Sequence, residues 1–351
     1  MVLDLKLPVF SRINTRVFEN VLKHSLKIDS IQPKKVFVIG DIGQGSSASP
    51  TLSSAYYKAA RNLGLKTELH IQNHKFSSDY IDAVLAKKLR DLPKRSVIIV
   101  NVSNKMGKFD YSNLSFRKYC QKNEHKYLSS SGLKNLQQGN LKYFIDALDV
   151  DIKAQQKFGE KLANALTQAN EVNIQTKKGT DLDLYIANRS AINNSGVYDE
   201  WGKGGNMPAG EVYIPPLEGL TQGRLVIDGS VRIWNKTILP TKPIILDIEK
   251  GTIKKIHKSP MSKLLSDTFS WAARRAKFHP ENVRKVAELG IGTNMSAKII
   301  GTTIVDEKKY GTAHIAFGSN GWMGGKNKAV SHFDQVFKNP IIRIDGRLFR
   351  F

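Results

Sequence analysis

The strongest constraint on how this chain folds is an alternation of short apolar runs with amphipathic stretches across its first 150 residues. Residues 35–40, 67–71 and 96–102 are brief and rich in Val, Ile, Phe and Leu, the composition of buried strands. Between them, Leu52, Ala55, Tyr56, Ala59, Ala60 and Leu63, then Ile81, Val84, Leu85 and Leu89, recur at the spacing of helices with one apolar face. Strands separated by helices fold as a mostly parallel sheet, because a parallel neighbour is reached only through a crossover. Val17, Phe18, Val21, Leu22 and Leu26 mark a leading helix over 14–27. Ser49 before Pro50 is expected to cap the second helix, and Gly64 to end it.

Residues 103–139 are polar, basic and rich in Ser, Asn and Gln, and are expected to form a loosely structured flap. Helical stretches at 141–149 and 152–169 lead out of this region, which places a domain boundary near residue 150. Beyond it the pattern changes. Residues 171–176 and 182–187 flank Lys178-Gly179 as a hairpin, further strand signals lie at 211–214, 225–233 and 244–256, and a helix is expected at about 259–276. The expected architecture is α/β. A Rossmann-like N-terminal domain (1–150) with a mostly parallel sheet precedes a mixed α+β domain (151–351) built on a largely antiparallel sheet.

A formal net charge of +23 favours anionic partners in general. The lysines are dispersed, and no zinc finger, homeodomain or RNA-recognition motif accompanies them, so a basic surface is preferred to a nucleic-acid role. The single cysteine, Cys120, excludes an intrachain disulfide and a thiolate metal cluster. There is no apolar run of about 18 residues to span a membrane, and residues 1–8 carry Asp4 and Lys6 with no cleavage signal, so a cytoplasmic protein is expected. The turn Gly40-Asp41-Ile42-Gly43-Gln44-Gly45 has its glycines in a different order from the dinucleotide fingerprint, and reads as a plain strand-to-helix turn.

The chemistry concentrates in the last third, where acids and imidazoles sit in apolar, glycine-rich segments. Glu211 opens a Val-Tyr-Ile run after Pro208-Ala209-Gly210, and Glu288 stands between Ala287 and Leu289 with Gly290 and Gly292 beyond. His314 lies within Ala313-His314-Ile315-Ala316-Phe317, and His332 and Asp334 are two apart, so an extended chain turns both to one side. A charged group taken out of water must be paired or bind a metal. Three carboxylates and two imidazoles without a thiolate suit one or two divalent ions such as Zn, Mn, Co or Fe.

The series from Asn206-Met207-Pro208-Ala209-Gly210-Glu211, through Ala287-Glu288-Leu289-Gly290-Ile291-Gly292-Thr293-Asn294 and Asp306-Glu307-Lys308-Lys309-Tyr310-Gly311-Thr312-Ala313-His314, to Ser331-His332-Phe333-Asp334 resembles the aminopeptidase T/aminopeptidase S family of metallopeptidases, particularly its shorter members. The resemblance implies a homodimeric two-metal aminopeptidase, with Zn, Co or Mn held by Glu211, Glu288, His314, His332 and Asp334. In such an enzyme the metals would activate a water, with Glu288 or Glu211 shuttling the proton to the leaving amine of a peptide. Asn206, Tyr310, Trp322, Lys326 and Asn327 are the candidate substrate-binding residues. The family's tyrosine, seven residues after the first histidine, is replaced by Gly321. The same superfamily includes a non-haem Fe(II) enzyme that opens the ring of 2,5-dihydroxypyridine, a chemistry that His314, His332 and Asp334 could serve. The rivals to the peptidase are therefore this dioxygenase and a catalytically degenerate member that binds peptides or nucleic acid.

Overall fold

The computed structural model describes residues 14–76, 78–109 and 114–350; residues 1–8, read above for the absence of a secretory signal, lie outside them. The chain divides into two compact units, Met1–Ile152 with Gly196–Pro208, and Lys153–Ser195 with Ala209–Phe351. No helix among the described residues is long and apolar enough to cross a membrane.

The first unit is built on a parallel sheet of five strands, in the order Thr67–Gln72, Val36–Asp41, Val97–Asn101, Lys126–Ser130 and Gly204–Asn206. Val36–Asp41 and Val97–Asn101 are buried throughout, as an interior strand with both faces covered must be. Phe37, Ile39, Ile98 and Val100 join Leu85, Leu89 and Tyr119 in the core on one side. The segment 103–139 is not a flap: it contains the helix Phe116–Lys122 and the fourth parallel strand. Its polar composition hid the strand because Lys126 is fully buried, its ammonium donating to Leu26 O and Asp199 O at 2.9 Å each. The second helix also begins earlier than expected, at Ala48 after Ser47. Ser49 lies inside it and ties the helix to the sheet, accepting from Asp41 N–H (2.9 Å) and donating to Asn101 O (2.7 Å). The glycine turn is closed from within: Asp41 Oδ1 accepts from Gly43 N–H at 3.0 Å and from Ser103 Oγ at 2.7 Å.

The second unit holds two antiparallel sheets of seven strands each around one core. The first runs Thr252–Ile256, Ile244–Glu249, Gln222–Ile227, Asp181–Tyr185, Glu171–Gln175, Ile341–Ile344 and Arg347–Phe349. The second runs Thr237–Ile238, Ser230–Arg232, His332–Lys338, Thr312–Gly318, Val286–Gly292, Glu211–Ile214 and Ile192–Asn194. Val172, Leu182, Leu225 and Leu246 from one meet Val212, Leu289, Ile315 and Phe337 from the other, and Phe269 of the Ser262–Ala273 helix joins them. At about 25 cal/mol per Å² of apolar surface removed from water, this shared core is the main source of stability for the unit.

Candidate metal centre

Strand alternation sorts the second of these sheets into two chemically different faces. Val212, Ile214, Leu289, Ile291, Ala313, Ile315, Phe317, Phe333 and Phe337 point into the core. The residues between them, on four neighbouring strands, therefore share the opposite face: Glu211, Glu288, His314, His332 and Asp334. Register brings them abreast, with Gly292 paired to Glu211, Gly290 to His314, Ala316 to Glu288 and to Asp334, and Gly318 to His332. A register shift between Val286 and Glu288 lets Val286 stay in the core while Glu288 turns to the polar face, the kind of re-aiming that a bulge provides. Glycine and alanine opposite the large polar groups leave room for them. His314 lies so close over Gly290 that a Cβ there would fall 2.1 Å from Nε2.

The five groups converge as two overlapping sets that share Glu288: Glu211, Glu288 and His314, and Glu288, His332 and Asp334, with the donor atoms of each set within 4.8 Å of one another. Glu288 Oε1 is 3.2 Å from His314 Nε2, and Oε2 is 3.2 Å from His332 Nε2. His332 Nε2 is also 3.1 Å from Asp334 Oδ1, and Glu211 Oε2 is 3.9 Å from His314 Nε2. Separations near 3 Å are those of neighbouring donors around an ion bound at about 2.0–2.2 Å. His332 Nδ1 donates to Ser319 O at 2.8 Å, so Nε2 is the nitrogen that faces the carboxylates and would be free to bind a metal once its proton is lost. The cluster can therefore hold a metal ion.

Its electrostatics are those of a site in want of a cation. Burial alone would lower His314, but the hydrogen bond and charge of Glu288 outweigh it and raise the imidazole to about 9. His332 is likewise driven well above its ordinary value, against burial, chiefly by Asp334. Asp334 is held far below the usual carboxylate range, since His332 overcomes the cost of its burial. In the metal-free protein, protons on the two imidazoles balance the acids.

Two participants escaped sequence reasoning. Lys308 is fully buried; its ammonium is paired with Glu211 and lies 2.6 Å from Glu307 Oε1. Both residues stand in the motif quoted above, yet nothing in the spacing of Asp306-Glu307-Lys308 marks a buried cation.

The expected substrate residues divide. Trp322, half exposed, sets its ring edge-on to His332 with centroids 4.7 Å apart. Asn327 is spent on the loop, donating from Nδ2 to Asn282 O at 3.0 Å and to Gly318 O. The exposed Lys326 offers its backbone N–H to Glu218 at 2.6 Å. Tyr310 packs its ring against Phe158, and Asn206 belongs to the first unit, where it accepts from Ser129 Oγ at 2.9 Å.

Fold and site together define a two-domain α/β protein that carries a carboxylate–imidazole centre of metal-binding type on one face of an antiparallel sheet. A family model described as NicX: 2,5-dihydroxypyridine 5,6-dioxygenase matches residues 150–349, more than half of the chain, and the chain belongs to that family. A 2,5-dihydroxypyridine 5,6-dioxygenase of Pseudomonas putida is 27% identical over 192 residues, which are 52% of this chain and 53% of the relative, so the match spans about half of that protein's length. The solved structure of 2,5-dihydroxypyridine dioxygenase from Pseudomonas putida KT2440 superposes with a TM-score of 0.68 at 20% identity, covering 95% of this chain and 94% of that one. Wild-type AmpT from Thermus thermophilus gives 0.56 at 14% identity, covering 96% and 98%.

The fold is therefore shared with aminopeptidase T, but the family match overturns the expected aminopeptidase, and with it hydrolase and protease chemistry. The motifs that suggested a peptidase are the ones that build the donor cluster. The glycine at position 321, in place of the peptidase tyrosine, is the one departure from the peptidase pattern noted in the sequence.

Proposed function

We propose that the protein is an Fe(II)-dependent dioxygenase that opens the ring of 2,5-dihydroxypyridine or a closely related hydroxylated pyridine. The observation that carries this reading is the family match across residues 150–349, the stretch that contributes every member of the donor cluster. One iron would be held by His314, His332 and carboxylates drawn from Glu288 and Asp334, leaving open positions for substrate. Bound there, iron would supply a Lewis acid and a one-electron path between aromatic ring and dioxygen.

The chain's own residues do the rest. Ser319 O fixes the His332 ring, and Glu288 spans both imidazoles so that the two cannot rotate independently. Lys308 occupies Glu211 Oε1, so Oε2 is the oxygen left to accept a proton from a substrate hydroxyl. The indole of Trp322 beside His332 supplies a flat apolar wall suited to an aromatic ring and keeps water from that side.

Anaerobic loading with Fe(II), followed by oxygen-electrode and absorbance measurements with 2,5-dihydroxypyridine, tests the reading. One iron per chain, oxygen uptake and loss of the ring absorbance are expected, with no release of amine from amino-acid amides. Iron-loaded protein that consumes no oxygen with this compound or with a panel of related hydroxylated pyridines would rule the reading out.

A further inference from the structure

Arg232 stands on the polar face of the site sheet, and its charge has no use in the reaction described so far. The ladder between Ser230–Arg232 and His332–Lys338 pairs Ser230 with Val336 and Val231 with Gln335. One step further along the same antiparallel register, Arg232 faces Asp334, and directly opposed residues project to one side. Val231 fills the core, so Arg232 turns to the face that carries Glu288, His314, His332 and Asp334.

The guanidinium is unusually unoccupied for its position. It is half-buried and feels the charge of Asp334, yet among the described residues no carboxylate oxygen lies within ion-pair distance. Among the described residues its side chain makes one hydrogen bond, a long one, 3.5 Å from Nη1 to Thr237 Oγ1. Arg189 in the same unit shows the contrast: it is pinned by Glu218 at 2.6 Å and by Gly324 O. A guanidinium carries five N–H donors in a rigid fork matched to a pair of oxygens. Holding one partly desolvated without a partner costs free energy, so an arrangement that keeps it open fits a ligand that completes it.

The geometry points to Arg232 as a specificity-determining residue that anchors an anionic oxygen of a planar substrate, a deprotonated ring hydroxyl or a carboxylate, beside the donor cluster. This rests on the ring-opening reading for the identity of the ring, but not for the anion. The anchored oxygen would lie on the Asp334 side of the centre and the ring would extend toward Trp322, so Arg232 sets which edge of the ring is presented.

The test is calorimetric titration of iron-loaded protein under argon with 2,5-dihydroxypyridine and, as a second probe, nicotinate, for wild type, Arg232→Lys and Arg232→Met. Iron per chain is measured on each. Loss of a charge-assisted hydrogen bond is expected to weaken binding roughly tenfold or more in Arg232→Met, with partial recovery in Arg232→Lys and unchanged iron content. In turnover, KM should rise more than kcat falls. Equal affinity of wild type and Arg232→Met for both probes overturns the assignment, as does loss of iron from Arg232→Met, which would make the residue a structural partner of Asp334. Wild type that binds nicotinate but not the dihydroxypyridine, with binding lost in Arg232→Met, keeps Arg232 as the anion anchor and discards the proposed substrate.

Discussion

The imidazole of His314 lies directly over the Cα of Gly290, so close that any side chain at 290 would overlap Nε2 and Cε1 at 2.1 Å. Gly290 is thus required by the neighbouring strand's imidazole and not by a turn. Gly290→Ala is expected to push the imidazole off the position from which it reaches Glu288, and to cost about 1–3 kcal/mol of stability through overpacking. Metal titration of the folded variant should show at least tenfold weaker retention, the rough equivalent of 1.4 kcal/mol. An alanine variant with wild-type metal affinity would show that His314 is not a ligand.

Metal binding should be opposed by acid over an unusually high range. His314, raised to about 9 by Glu288 against its burial, carries a proton at neutral pH in the metal-free protein, and Nε2 must lose it to bind an ion. Apparent affinity should therefore climb with pH from neutrality through about 9. The linked effect on folding has the opposite slope: the protonated pair stabilises the metal-free protein fully below about 6.5, and this contribution is lost as pH rises through about 9. Metal titrations at several pH values, with denaturant unfolding of the metal-free protein alongside, check both slopes. A pH-independent affinity between 6.5 and 9 would show that His314 is not protonated in the metal-free site.

Lys308 lies against both Glu211 and Glu307 at the edge of the cluster, and the two acids are not equivalent. Burial pushes Glu307 up to about 8 in spite of Lys308, so it carries a proton at pH 7. Glu307→Gln should then leave stability nearly unchanged at pH 7. Lys308→Met removes the one ammonium paired with Glu211 among the described residues and should cost about 3–5 kcal/mol, the usual penalty for stranding a buried charge. Urea unfolding of the metal-free variants measures the difference. Equal destabilisation by the two substitutions would mean that Glu307 is ionised.

Much of this architecture was legible in the chain because periodicity reports burial. Val36–Asp41 and Val97–Asn101 are buried on both faces and read as continuous apolar runs, while the site strands alternate chemistry with core. The five donors stood out because ionisable groups are rare among residues such as Ala287, Leu289 and Ile315. Lys126 and Lys308 were missed for the converse reason: each is a fully buried lysine whose partners, two carbonyls in one case and two carboxylates in the other, come from distant or unmarked positions. Arg232 became visible only through register, since its closeness to Asp334 depends on which strands are neighbours. The choice between peptidase and dioxygenase was not legible in the donors, because carboxylates and imidazoles suit both chemistries; Gly321 in place of the peptidase tyrosine weakened the first reading, and the family match across residues 150–349 overturned it.

The first unit should have its own acid weakness, at His125. This imidazole is fully buried behind the Lys126–Ser130 strand, and its hydrogen bonds specify one neutral tautomer. Nδ1 accepts from Ser96 N–H at 3.3 Å, and Nε2 is 3.4 Å from Tyr119 Oη, whose own proton goes to Leu89 O at 2.6 Å. A second ring proton would meet the Ser96 N–H head on, and burial lowers the group to about 4. The unfolded chain takes up that proton near 6.5, so folding is favoured fully above this value and progressively less as pH falls toward about 4. The loss would be at most about 3 kcal/mol, given 1.36 kcal/mol per unit. His125→Gln, which keeps a donor and an acceptor but cannot titrate, should flatten this part of the pH–stability curve while lowering its plateau. Thermal unfolding between pH 4 and 7, followed by a probe in the first unit, decides it; parallel curves for the two proteins would show that His125 is not the group responsible.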